Sequence, residues 1–242
     1  MVTHAVVAHD AWLSARKKHL AKEKEFTHLR DQLSRERRQL PWERVDKDYR
    51  FEGESGTLSL RDMFAGRGQL VVYHAMFNPD TAGPRTTWTT DAACFSCSWW
   101  MDNFNGIAVH LNHRDISMVA VSLAPYAKIA AYRKRMGWTF PWFSSAGSDF
   151  NFDYHVSFAP DQLASGKVEY NYRSVPMTIS ETPGISVFVE DADSIYHTYS
   201  TYARGLDMLN VAYHYMDLVP KGRDEGDDHQ HGWLRRHDEY AD

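Results

Sequence analysis

The chain predicts an α/β domain, a mixed sheet flanked by helices, and three observations carry that prediction. The first is Val71-Val72-Tyr73-His74-Ala75-Met76-Phe77, an apolar, β-branched run that reads as a buried strand. The second is Cys94-Phe95-Ser96-Cys97, which holds the only two cysteines and opens an amphipathic segment. The third is the alternation that follows: a strand over 116–122, then a helix between Pro125 and Gly137. Strand, helix and strand in turn imply parallel strands joined by right-handed crossovers.

From the N-terminus, residues 10–40 read as one long helix, with Asp10 as N-cap and Pro41 as stop. Leu13, Leu20, Phe26, Leu29 and Leu33 recur at mostly helical intervals and form a narrow apolar stripe on a charged rod. The segment carries nine Lys/Arg against five Asp/Glu in a chain of net charge −5. That contrast fits a helix that docks on its own domain or mediates a homodimer, the alternative being a basic arm for RNA. Alternation around Tyr49-Arg50-Phe51, with Gly53 and Gly56 after it, predicts a hairpin, and residues 57–64 predict a strand followed by a short helical turn. Pro79, Gly83 and Pro84 mark a loop, a flap over the site or a plain surface loop, in which Arg85 and Trp88 are placed to meet a substrate.

Beyond Cys97 a helix is expected through Trp99, Met101, Phe104, Ile107 and Leu111, weakened at Gly106. Residues 140–145 read as a third strand, 185–189 and 195–202 as two more, and 206–219 as the last helix. Residues 165–181 carry no clear pattern. The last residues, 221–242, hold seven acidic and four basic side chains and read as a poorly ordered or wrapping tail of sign opposite to the first helix. The expected organisation is a helical extension over 1–45, a domain over 46–220 and a tail over 221–242.

Composition limits the function classes. An apolar fraction of 43% and an aromatic fraction of 14% over 242 residues supply a large core. The net negative charge gives no electrostatic case for nucleic acid or an anionic membrane. No apolar run approaches a bilayer span, and the first residues lack the basic start and long apolar middle of a signal peptide, so a cytoplasmic location is expected. A reducing compartment suits two cysteines as a cycling dithiol rather than a permanent bond.

Cysteines three apart at a helix start share one face, close enough for a short disulfide. The first sulfur is expected to be exposed there, with free backbone N–H groups and the helix dipole holding it as a thiolate. Cys94 is therefore the expected nucleophile and Cys97 the resolving thiol, the redox signature of a thioredoxin-like turn. The competing readings are structural cysteines and a metal site. Thirteen histidines keep the second open, and soft thiolates with imidazole suit copper: Cys94, Cys97, His74 and His197 form that candidate set. For each histidine the plainer reading is a core side chain satisfied by a neighbour.

A resemblance is carried by Leu20-Ala21-Lys22-Glu23-Lys24-Glu25-Phe26-Thr27, by Cys94-Phe95-Ser96-Cys97-Ser98, by Arg135-Met136-Gly137-Trp138, by Gly147-Ser148-Asp149-Phe150-Asn151, and by the stretch from His197 through Thr201-Tyr202-Ala203-Arg204-Gly205-Leu206-Asp207. With these the chain resembles, nearly end to end, an uncharacterised thioredoxin-like family related to the alkyl hydroperoxide reductase and thiol-specific antioxidant (AhpC/TSA) group. The resemblance implies a peroxiredoxin-type thioredoxin-like sheet and makes Pro183 the candidate for the cis-proline that faces the dithiol. The family name describes a fold and not a chemistry; it is the Cys94-x-x-Cys97 pair that leads to the expectation of a thiol–disulfide oxidoreductase with no bound cofactor, a disulfide or small-molecule substrate and a cellular thiol reductant. Two departures stand out: Phe95 replaces the family's usual proline, which bears on redox potential, and the 78–93 segment is long. The peroxiredoxin loop Pro-x-x-x-Thr/Ser-x-x-Cys is absent, since Thr87 and Asp91 occupy its proline and Thr/Ser places, which disfavours peroxidase activity. The histidine that copper chaperones of this fold supply before the 185–189 strand is absent too, because Ser180-Glu181-Thr182-Pro183 stands there.

Overall fold

The computed structural model describes residues 4–78, 89–225 and 231–241. The expected flap residues Pro79, Gly83, Pro84, Arg85 and Trp88, and Thr87, lie outside the described residues. The chain divides into two compact units, one ending at Pro41 and one starting at Trp42.

The first unit is a single helix, α1 (His9–Arg37), unbroken over 29 residues, and none of its residues is buried. Ala8, not Asp10, takes the N-cap position, and Asp10 falls in the first turn, where its charge complements the helix dipole. Phe26, Leu29 and Leu33, at i, i+3 and i+7, share one exposed face.

In the second unit the strands run β1 (Glu43–Arg44), β2 (Arg50–Gly53), β3 (Gly56–Ser59), β4 (Gln69–His74), β5 (Ile116–Ser122), β6 (Trp142–Ser144), β7 (Lys167–Tyr170), β8 (Arg173–Pro176), β9 (Gly184–Asp191) and β10 (Ser194–Tyr202). Eight of them form one sheet in the order β1-β10-β9-β4-β5-β6-β2-β3, and β7 and β8 form a separate hairpin. β4, β5 and β6 are parallel, while β9 and β10 run antiparallel beside β4. β2 and β3 make the expected hairpin, closing at Gly53 and Gly56. This is the thioredoxin-like sheet of the peroxiredoxin type, with its N-terminal hairpin. β1 joins the sheet edge through β10, so the second unit begins a few residues ahead of the boundary at 45/46.

The central strand separates two cores. Leu70 and Val72 of β4 face Val119, Val121, Phe150 and Phe188 on one side. Tyr73 faces Cys94, Cys97, Met118, Ala120 and Ile185 on the other. Period-two alternation with both faces covered explains why the strand reads as a continuous apolar run.

The helix after the cysteines is two helices, α2 (Phe95–Met101) and α3 (Phe104–Asn112), and it breaks at Asp102-Asn103 rather than weakening at Gly106. The cause is local polar competition. Asn103 donates its side-chain amide to the carbonyls of Trp99 and Trp100, and Asp102 accepts from Trp138 Nε1 at 2.9 Å. α4 (Tyr126–Arg135) follows, with Pro125 at its N-cap and Gly137 beyond its end at φ +65, a conformation that favours glycine. α5 (Phe150–Asp153) and α6 (Pro160–Ala164) are short, and the β7–β8 hairpin occupies most of the unpatterned stretch that follows α6. The last helix is shorter than expected: a 3-10 segment, Ala203–Leu209, gives way at Asn210 to α7 (Val211–Met216). Asn210 ends one and caps the other, its Oδ1 accepting from Ala212 N at 3.0 Å.

The tail after α7 wraps. Asp238 and Glu239 pair with Arg135 of α4, and His237 Nδ1 lies 2.6 Å from Asp102. Leu234 is buried, and Trp233 packs edge-on against Trp99. No helix among the described residues is long and apolar enough to cross a membrane.

Candidate active site

β4 ends at the site and α2 starts there. Cys94 is the N-cap residue of α2, and Cys97 lies one turn along. Both are free thiols and both are 1% exposed, so the expectation of an exposed first sulfur is corrected. The reason is packing from four sides: Tyr73 and Phe77 from β4 and its continuation, Ala92 and Ala93 from the approach to α2, Glu181 from the strand-entry segment before β9, and Arg236 from the tail.

The two sulfurs differ in their surroundings. Burial pushes the Cys94 thiol up, but four groups together outweigh it and leave the group below its ordinary value. These are the Cys97 thiol, which donates to the Cys94 sulfur, the backbone N–H groups of Cys97 and Ser96, and the Arg236 guanidinium. Cys97 is pushed well up, first by burial and then by its bond to Cys94 and the charge there. Met76 N donates to Cys97 Sγ at 3.4 Å, and the Tyr73 hydroxyl faces the same sulfur. The arrangement makes Cys94 the more acidic of the two thiols and Cys97 the less acidic.

The tail supports the helix start. Arg236, 7% exposed, donates Nε and Nη2 to Ala93 O at 3.1 and 2.7 Å, while its Nη1 pairs with Glu239. His231 Nδ1 is 2.9 Å from Ser96 Oγ, and its Nε2 is 2.8 Å from the Tyr213 hydroxyl. Inside, Ser98 Oγ donates to Cys94 O at 2.9 Å and lies 2.8 Å from the Tyr132 hydroxyl, which burial pushes up to about 12. Sequence reasoning missed Arg236 and His231, which lie more than a hundred residues from the cysteines with no motif around them.

Pro183 does not meet its expectation. No peptide bond among the described residues is cis, and Pro183 is half-buried with its carbonyl accepting from the Tyr170 hydroxyl at 2.9 Å. The segment's backbone is already paired to its own chain, Thr182 N to Val156 O and Ser157 bridging Glu181, which leaves that edge no room for a substrate strand. What the segment brings toward Cys94 is Glu181. That carboxyl is 1% exposed and is pushed up to about 8, first by burial and then by the Cys94 charge.

The alternative set Cys94, Cys97, His74 and His197 is not assembled. His74 belongs to the opposite face of β4, stacked on Phe150 and Tyr154, with Nδ1 3.3 Å from Asn151 Oδ1 and Nε2 2.9 Å from Ser186 Oγ. Ser186 Oγ is 2.9 Å from Ser200 Oγ, which lies 2.7 Å from His197 Nε2. Each histidine is thus satisfied by serine, and burial holds His74 down to about 4. Among the described residues no three His, Cys, Asp or Glu side chains are grouped to hold a metal ion. Asp91, at the peroxiredoxin Thr/Ser place, is exposed, its amide directed at Thr89 Oγ1.

No curated protein matches the chain. Solved structures similar to it include the peroxidoxin BcpB of Mycobacterium tuberculosis, at 15% identity and TM-score 0.45 over 70% of this chain and 93% of that one. The bacterioferritin comigratory protein of Xanthomonas campestris is similar at 13% identity and TM-score 0.44, over 72% and 96%. Peroxiredoxin 6 of Arenicola marina is similar at 12% identity and TM-score 0.43, over 75% and 76%. A family model described as "Bacterial protein of unknown function (DUF899)" matches residues 1–240, and the chain belongs to that family.

Proposed function

We propose that the protein is a thiol–disulfide oxidoreductase whose redox pair is Cys94 and Cys97. The observation that carries the reading is the geometry at the start of α2, where the Cys97 thiol and two backbone N–H groups converge on the Cys94 sulfur. A thiolate so held attacks one sulfur of a substrate disulfide, and the departing thiolate leaves as a thiol once protonated. Cys97 then loses its proton and attacks the Cys94 sulfur of the mixed disulfide. The second substrate thiol departs, the protein keeps a Cys94–Cys97 disulfide, and two electrons have passed to the substrate. A cellular thiol reductant returns them.

Burial of both sulfurs favours a small-molecule disulfide over a folded protein partner. The step needs no metal and no bound cofactor. Self-association through the exposed apolar face of α1 gives a homodimer, the role its Phe26, Leu29 and Leu33 fit best.

The test is trapping. Cys97→Ser is expected to hold a mixed disulfide on Cys94, visible as a mass increase, while Cys94→Ser holds none. Oxidation by hydrogen peroxide in a parallel arm separates disulfide from peroxide chemistry. Thiols blocked by stoichiometric copper, zinc or iron in protein purified without chelator would overturn the proposal.

A further inference from the structure

Resting on that reading, the dithiol must exchange protons with solvent although neither sulfur reaches it. Among the described residues Glu181 Oε2 is buried without a close hydrogen-bond partner, and the buried hydroxyls of Ser157 and Thr182 lie next to it with no partner at full hydrogen-bonding geometry, Ser157 turned to the carboxyl and Thr182 to the Tyr170 hydroxyl. Buried polar atoms left open in a cluster are costly, and they point to a site that handles a proton or a small polar molecule. Phe77 N–H and Ser157 approach the carboxyl from two sides, and Cys94 acts on it from a third. Ser157 also lines a cavity of about 210 Å³ with His155, Gln162, Lys167 and Glu169 at its wall.

We propose that Glu181 is the proton-transfer group of the Cys94–Cys97 pair, and that Ser157 and this cavity connect it to solvent. The titratable groups around the path are Cys94, and Cys97 through it, Tyr170 from β7, and His155, Lys167 and Glu169 in the cavity. Of these, Cys94 is the one whose charge acts on Glu181.

The protons balance as follows. With Cys94 a thiolate and Glu181 protonated, attack on a disulfide expels a thiolate that takes the Glu181 proton. Cys97 attacks next, and the second thiolate takes the Cys97 proton. Glu181 then regains a proton from solvent through Ser157. Two electrons and two protons have reached the substrate, one proton from Cys97 and one from solvent. A carboxyl held protonated at neutral pH beside a thiolate is what the first step requires, and burial supplies it.

The full chain, oxidised with cystamine across neutral pH, tests the relay. Glu181→Gln is expected to slow formation of the Cys94–Cys97 disulfide about 100-fold, with Glu181→Asp recovering part of the rate. Redox-difference infrared spectra of the unaltered protein are expected to show a protonated-carboxyl band that changes on oxidation. A Gln variant that oxidises at the unaltered rate overturns the relay alone. An unaltered protein that forms no Cys94–Cys97 disulfide overturns the functional reading beneath it. If the Gln variant misfolds, the infrared band decides, and a band indifferent to oxidation overturns the relay.

Discussion

Arg236 holds the carbonyl of Ala93 with two N–H donors, at 3.1 and 2.7 Å, and so ties the tail to the residue that precedes Cys94. One side chain thereby does two things. It fixes the approach of the chain to the α2 N-terminus, and it places a cation where it favours the Cys94 thiolate.

Arg236→Gln is therefore expected to raise the pH at which Cys94 becomes alkylated by iodoacetamide. Stability should fall by about 1–3 kcal/mol in urea unfolding, because Ala93 O loses its charged partner and the Glu239 carboxylate keeps Arg135 and the residue-236 backbone N–H but loses the guanidinium. A Cys94 alkylation profile that does not move would remove Arg236 from the account of the thiolate.

His74 and Glu181 give stability opposite pH dependences. His74 is held neutral by burial, with its folded value near 4 against 6.5 when free, so the unfolded chain binds the extra proton between those values. Its contribution is present above pH 6.5 and is lost as pH falls toward 4, by at most about 3 kcal/mol. Glu181 is held protonated, its value raised from 4.5 to about 8, so its contribution is present below 4.5 and lost as pH rises through 8. His74→Gln is expected to flatten the acid limb of stability against pH, and Glu181→Gln the alkaline limb. Urea midpoints measured across the range check both signs.

Gly184, the first residue of β9, has no space for a methyl group. A Cβ there would lie 2.7 Å from Tyr202 Cδ1 and 2.9 Å from Val156 Cγ1. Tyr202 is itself held through its hydroxyl on Tyr154 O, so the ring cannot give way freely. Gly184→Ala is expected to cost about 1–3 kcal/mol, read as a lowered Tm, with no change in the cysteine count by thiol titration.

What the residues disclosed and what they hid divide along one line. β4, β5 and β9 were legible because both faces of a central sheet demand apolar, β-branched runs, β10 because its Tyr and Thr residues suit a half-buried strand, and the cysteine pair because its spacing is local. The break between α2 and α3 was not, because the local bonds of Asn103 act there together with Trp138 and His237, which meet Asp102 from distant parts of the chain. Glu181 lay in a stretch with no periodicity, and a lone glutamate carries no sign that it will be buried. Pro183 showed the opposite failure. The resemblance gave it a role at the dithiol, while the chain pairs that segment with Val156 and Ser157 instead.

α1 supplies the last prediction. None of its residues is buried, and Phe26 is 64% exposed with Leu29 and Leu33 on the same face. Burying such a face between two copies removes apolar surface from water at about 25 cal/mol per Å². The helix also carries Arg30, Arg35 and Arg37 near Asp31 and Glu36, so an antiparallel pairing of two copies can set unlike charges opposite one another. The full chain is expected to sediment as a dimer, and a chain starting at Trp42 as a monomer with its Tm nearly unchanged. Phe26→Glu together with Leu29→Glu should give the monomer without removing the helix, since glutamate is a good helix former. A full chain that sediments as a monomer at micromolar concentration would leave α1 without this role, and the Cys94–Cys97 chemistry would stand independent of it.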